Sequence, residues 1–194
     1  MPKNRSYKKG EPFRDATLLI VVCEGAKREK IYFETLAKGN QRIKIKVVAP
    51  EGVDSGKSAP HWLLDRAISI TEELGSNKYD TLWFVLDVDK WRRSSLEQIK
   101  VECKANWHVA LSNPCFELWL ILHYLDSGSI ESISCRQLKA EFNKKIVGGY
   151  KVEIALLNIQ AAIERARGID TSNNFIPALR TTKVYLLADQ IINK

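Results

Sequence analysis

Apolar residues in this chain fall into short runs, separated by stretches with a helical period. Thr17 to Cys23 (Thr-Leu-Leu-Ile-Val-Val-Cys) and Thr81 to Leu86 (Thr-Leu-Trp-Phe-Val-Leu) are nearly unbroken and rich in β-branched and aromatic residues. That is the pattern of strands buried on both faces of a parallel sheet. Ile43 to Ala49 alternates apolar residues with lysine, predicting a one-sided strand near an edge. Val109 to Leu111 predicts a short fourth strand. Helices are expected between them. One runs over 27–38 with Ile31, Phe33, Leu36 and Ala37. A second runs over 60–74 with Trp62, Leu63, Ala67, Ile70 and Leu74 on one face, stopped by Gly75. A third covers 94–107, opened by Ser94 or Ser95. Asn113 as a cap and Pro114 at the first helical position predict a further helix through Tyr124, apolar nearly all round and therefore buried. The remainder reads as helices over 136–146, 152–167 and 180–192, with breaks at Gly148-Gly149 and Gly168 and a loop at 173–177. The βαβα order predicts an α/β fold, a parallel sheet with helices on both faces. Residues 16–125 would form the core, 126–194 a C-terminal helical extension packed on it, and 1–15 a flexible basic arm.

Length and charge narrow this picture only slightly. The chain has 194 residues and a net charge of +7, which permits contact with phosphate backbones. Lys3, Arg5, Lys8 and Lys9 make the arm basic, either as a solvated tail or as a loose phosphate contact. This N-terminus lacks the apolar core of a signal peptide, and no apolar segment reaches the roughly 20 residues needed to cross a bilayer. A cytoplasmic protein without membrane contact is the expectation. Cys23, Cys103, Cys115 and Cys135 show no Cys-x-x-Cys pair and lie mostly in apolar or helical stretches. They are expected to be reduced core thiols.

The chemistry gathers at predicted strand ends. The strand at 81–86 runs into Asp87-Val88-Asp89. In an extended strand, residues i and i+2 point to one side, so two carboxylates would stand together and resist joint ionisation. A hard divalent cation relieves that repulsion. Glu24-Gly25 follows the first strand, where open α/β sheets place their sites, and Gly25 allows a sharp turn. Glu29 falls in the first turns of the next helix, where it serves either the helix dipole or a metal. Glu117 is the only charge in the buried helix before Asp126, and a buried charge needs a partner. It too serves either a site or the dipole. His123 is six residues on, about 240° around the helix, so it does not share a face with Glu117 and reads as a core or rim residue. Gly52 and Gly56-Lys57-Ser58 fall one residue short of a P-loop; Lys57 remains a candidate phosphate contact. Glu24, Asp87, Asp89 and Glu117 thus come from three strand ends that share one edge of a parallel sheet. Clustered carboxylates without histidine or cysteine call for Mg2+ or Mn2+.

The strand ending in Glu24-Gly25 and the later strand ending in Asp87-x-Asp89 resemble the Toprim fold of topoisomerases, bacterial primases and OLD-type nucleases. More specifically, the chain resembles the RloB-like family over roughly residues 17 to 192. The resemblance is carried by Val22-Cys23-Glu24-Gly25-Ala26-Lys27-Arg28-Glu29, Leu86-Asp87-Val88-Asp89-Lys90-Trp91, Ser112-Asn113-Pro114-Cys115-Phe116-Glu117 and Thr182-Lys183-Val184-Tyr185. A histidine is more usual in that family at the position of Tyr185, and a threonine at that of Arg28. The resemblance implies a prokaryotic Toprim protein linked to restriction or abortive phage defence, often encoded beside an AAA-type ATPase partner. It implies a Mg2+-dependent nuclease with Glu24, Asp87 and Asp89 as catalytic metal ligands. Glu29 and Glu117 would complete the metal set. From their charge and position, and not from the resemblance, Lys57, Lys90 or Arg28 would hold a neighbouring phosphate of the nucleic acid, DNA or RNA. A non-catalytic binding subunit of the ATPase is the alternative.

Overall fold

A computed structural model of the chain describes residues 17–40, 43–50, 59–75, 80–146 and 148–193. The basic arm, the near P-loop and Lys57 lie outside the described residues. The strands β1 (Thr17–Cys23), β2 (Ile43–Val48), β3 (Thr81–Asp87), β4 (Trp107–Asn113) and β5 (Thr181–Thr182) form one sheet in the order β2-β1-β3-β4-β5. The first four are mutually parallel, and β5 adds antiparallel to β4. The α/β fold with its parallel sheet is the one the sequence predicts, and the lysine-bearing β2 is an edge strand. The chain steps from β1 outward to β2, then crosses back to β3 on the other side of β1. The switch between β1 and β3 opens a crevice at their carboxyl ends, where such sheets hold ligands.

Period-two alternation divides the core into two layers. Leu18, Ile20 and Val22 of β1, with Leu82, Phe84 and Leu86 of β3, face α2 (Pro60–Glu73) and α3 (Arg93–Glu102). Leu19, Val21, Cys23, Trp83 and Val85 face the other way. There they meet α1 (Arg28–Ala37), α4 (Glu117–Ile121), α5 (Cys135–Lys145), α6 (Val152–Leu157), α7 (Ile159–Ile169) and α8 (Val184–Asn193), which share one continuous cluster. Gly75, at φ +56°, takes the left-handed conformation that closes α2.

Several local expectations are corrected. α3 begins at Arg93, before either serine, and ends at Glu102 because Cys103 turns extended; β4 therefore spans Trp107–Asn113, more than twice the expected length. The helix expected from Pro114 starts only at Glu117, after a cis Asn113–Pro114 bond. Asn113 caps nothing there: its amide donates to the Pro177 carbonyl at 2.9 Å. The single helix over 152–167 is two, α6 and α7, parted at Asn158. The four cysteines are not all reduced thiols. Cys115 and Cys135 form a disulfide with Cα atoms 5.6 Å apart, leaving Cys23 and Cys103 free. The pairing arises because α5 folds back onto the segment before α4, a contact between positions twenty residues apart that spacing does not announce.

Candidate metal centre

Three strand ends build the site. β1 delivers Glu24, whose backbone N–H still bonds to the Val85 carbonyl at 3.0 Å and so keeps it in line with the sheet. β3 ends on Asp87. Beyond β4, the turn through Pro114 brings Glu117 to the start of α4. The ladder continues past both strands: Val88 donates to Ser112 at 2.9 Å and Asp89 to Pro114 at 3.2 Å. A cleft of about 310 Å³ opens here, lined by Gly25, Arg28, Glu29, Asp87, Lys90, Glu117 and Lys139.

Glu24 is buried and collects three donors. Its Oε2 accepts from the Asp87 backbone N–H and from Trp91 Nε1, both at 3.0 Å, and its Oε1 accepts from Lys90 Nζ at 2.8 Å. Asp87 Oδ1 accepts the Phe116 N–H at 2.8 Å, and its Oδ2 lies 3.9 Å from Lys90 Nζ. Burial pushes the Asp87 carboxyl well above the usual range, and the charges of Glu24 and Glu29 push it further. Glu29 folds back over Gly25, where any Cβ would collide with its carboxylate. The atoms met are the far end of a flexible side chain, so a larger residue at position 25 would turn the Glu29 carboxylate aside. The Glu29 carboxyl is also raised, by burial first and then by Glu117 and Glu24. Lys90 responds in the opposite sense. Burial opposes its charge, but its hydrogen bond to Glu24, with the charges of Glu24, Asp87 and Asp89, outweighs burial and raises its pKa.

Glu117, buried at the first position of α4, meets Arg28 at 2.7 Å and Lys139 at 3.7 Å. It therefore has the partner its burial demands, and Arg28 in turn lies 5.9 Å from the Phe142 ring centroid. Asp89 is placed differently from Asp87. β3 stops at Asp87 and the chain turns, so two-residue alternation no longer applies; Asp89 is exposed on the rim and does not line the cleft. Its pKa is nonetheless raised, by partial burial and by the charges of Glu24 and Glu117, against the opposing pull of Lys90 and Lys139.

Of the residues singled out in the sequence, Glu24, Glu29, Asp87, Glu117, Lys90 and Arg28 therefore converge, with Asp89 beside them. His123 stands apart in the core. Sequence reasoning missed two participants. Lys139 lies on α5, far along the chain, and carries no motif. Trp91 directly follows Asp89-Lys90, and its place in that motif was the available signal.

Among the described residues, five carboxylates around this cleft face three cations, Arg28, Lys90 and Lys139. Full ionisation would leave two negative charges in excess, a state that burial opposes at Asp87 and Glu29 and that one divalent ion would favour. All five acids offer hard oxygen donors, which suit Mg2+ or Mn2+. The arrangement is thus an α/β sheet with an acidic cleft at its topological switch point. The profile of the RloB-like protein family matches residues 19–191, and the chain belongs to that family. No curated protein and no solved structure matches it. No helix among the described residues is long and apolar enough to cross a membrane.

Proposed function

We propose that this RloB-like protein is a Toprim-type, Mg2+-dependent nuclease that cleaves phosphodiester bonds in nucleic acid. Its setting would be prokaryotic phage defence, with an AAA-type ATPase partner. One observation carries the reading: carboxylates from three strand ends gather around the switch-point cleft, where a divalent ion would offset their mutual repulsion. Asp87, Glu29 and Glu117, with Asp89 at the rim and Glu24 behind, would hold the ion. When bound, Mg2+ polarises a phosphoryl oxygen and lowers the pKa of a coordinated water. The chain's own residues do the positioning. Glu24 holds Trp91, Lys90 and the Asp87 backbone together, fixing the floor of the cleft. Lys90, half-exposed, is free to turn from Glu24 toward an incoming phosphate, and Arg28 and Lys139 stand on the opposite wall.

Asp87→Asn tests this. The asparagine carbonyl can still accept the Phe116 N–H, so the fold is expected to persist. Mn2+ affinity measured by calorimetry should fall by more than about 100-fold, beyond the cost of losing a mere supporting contact to a metal site. Cleavage of plasmid DNA, single-stranded DNA or total RNA by wild type in Mg2+ or Mn2+ should vanish with it. Unchanged metal affinity would overturn the reading. A second reading draws on the ion pairs of Lys90 with Glu24 and of Arg28 with Glu117. These already balance part of the cleft and suit a non-catalytic, nucleotide- or nucleic-acid-binding subunit. Metal binding without cleavage, alone or with the ATPase, would favour it.

A further inference from the structure

The disulfide adjoins this cleft. Cys115 is buried directly before α4, and Cys135 opens α5. One donor atom from each of Cys115, Cys135 and Asp87 lies within 4.8 Å of the others, and all three residues are buried. Cys135 Sγ is also 3.8 Å from Glu117 Oε2. Asp87 and Glu117 both line the cleft, so an ion entering from solvent meets their carboxylates first and the sulfurs next.

We propose that the Cys115–Cys135 pair is a redox-gated soft-metal site, closed as the disulfide and, once reduced, binding Zn2+ through both sulfurs and Asp87, with Glu117 as the nearest fourth donor. A dithiol reductant opens it. One reductant thiolate attacks a cysteine sulfur to give a mixed disulfide, and the second displaces it. Two electrons and two protons end on the cysteines, and the reductant leaves as its own disulfide. Zn2+ then binds as both thiols release their protons to solvent. Tetrahedral Zn2+ with bonds of about 2.3 Å to sulfur holds two sulfurs about 3.8 Å apart. That is close to the spacing two sulfurs adopt once no longer bonded. Sulfur donors select Zn2+ over Mg2+. Because Asp87 serves both ions, reduction would exchange a hard-metal cleft for one that zinc can occupy.

The inference goes beyond the nuclease reading and does not need it, since its signal reports metal–sulfur bonds whether or not the protein cleaves anything. The probe is Co2+ added anaerobically to the full chain, with reactive thiols counted in denaturant. Oxidised protein should show two reactive thiols and no thiolate-to-cobalt charge transfer. Protein treated with dithiothreitol and desalted should show four thiols and a near-ultraviolet charge-transfer band. The band should saturate at one equivalent and be displaced by Zn2+. Cys115→Ser and Cys135→Ser should each weaken it severely, while Cys103→Ser leaves it intact. Comparing the two redox states of wild type requires no variant to fold. Reduced protein without the band, a band undiminished in Cys135→Ser, or four thiols in air-oxidised protein would each overturn the proposal. Loss of cleavage alone would bear only on the nuclease reading.

Discussion

His123 shows how much one buried residue reveals about its own chemistry. The Trp119 carbonyl 3.0 Å from Nδ1 can only accept, so Nδ1 carries the proton. Nε2 is then an acceptor, and the Tyr32 hydroxyl donates to it at 3.1 Å. Burial lowers its pKa to about 4, outweighing the Trp119 and Leu120 backbone contacts, which raise it, while the Tyr32 donor suits the neutral ring. The unfolded chain binds that proton near pH 6.5 and the folded chain only near 4, so the unfolded state holds more protons in between. The stability His123 contributes is complete above about pH 6.5 and is lost as pH falls toward 4. The loss is about 3 kcal/mol. A glutamine offers an amide NH2 and a carbonyl acceptor but does not titrate. Urea unfolding from pH 7 to pH 4 should therefore cost wild type about 3 kcal/mol more than His123→Gln. Equal pH profiles would contradict the assignment. Its core placement agrees with the sequence reading, but not by the helical angle argued there, because α4 ends at Ile121 and His123 lies in the turn beyond it. The difference between Asp87 and Asp89 was not legible in the sequence. It depends on where β3 stops, one residue past the apolar run.

At the scale of elements, the motif Thr182-Lys183-Val184-Tyr185 works as a fastening. Thr182 pairs with Ser112 as β5 meets β4, with their hydroxyls 2.8 Å apart, and Lys183 donates its backbone N–H to Leu111 at 2.8 Å. The Lys183 ammonium and the Tyr185 hydroxyl then converge on Asp170 Oδ2 at 2.8 and 3.1 Å, tying α8 to the end of α7. The Asp170 side chain is almost fully buried and its Oδ1 has no hydrogen-bond partner among the described residues, so its charge relies on this pair. Lys183→Met should destabilise the protein by about 3–5 kcal/mol, the cost of stranding a buried charge. Adding Asp170→Asn should restore part of it, and thermal unfolding of the single and double variants measures both. A cost below about 1 kcal/mol would place the pair among solvent-screened bridges. The long strands and the helices α1 and α2 were readable because each is a self-contained periodic pattern. A two-residue strand has no period. Nor does any local signal show that β5 returns to β4 or that Cys135 reaches Cys115, because both contacts exist only once the C-terminal helices have folded back.

The whole molecule combines a positive charge of +7 with an acidic cleft. Any long-range attraction to a phosphate backbone would therefore come from the chain's overall charge, since the cleft's carboxylates oppose phosphate unless a cation or the basic side chains beside them intervene. Arg28 and Lys139 are the two cations on the Glu117 wall, and both side chains remain a little under half exposed. If a phosphate seats between them and the metal set, each accounts for one released counterion. With wild-type protein and Ca2+ in place of Mg2+, chosen to keep a cation in the cleft while suppressing any cleavage, log affinity for a fixed oligonucleotide plotted against log salt should fall linearly. Arg28→Ala or Lys139→Ala should reduce the steepness by about 1 and weaken binding evenly across sequences. Alanine at Lys100, which pairs with the Phe175 ring away from the cleft, should change the slope less. Should all three substitutions alter it equally, the attraction is a property of the surface field and the phosphate does not seat in the cleft. A slope sensitive only to Arg28 and Lys139 would instead fix the path of the backbone across the Glu117 wall, beside the carboxylates.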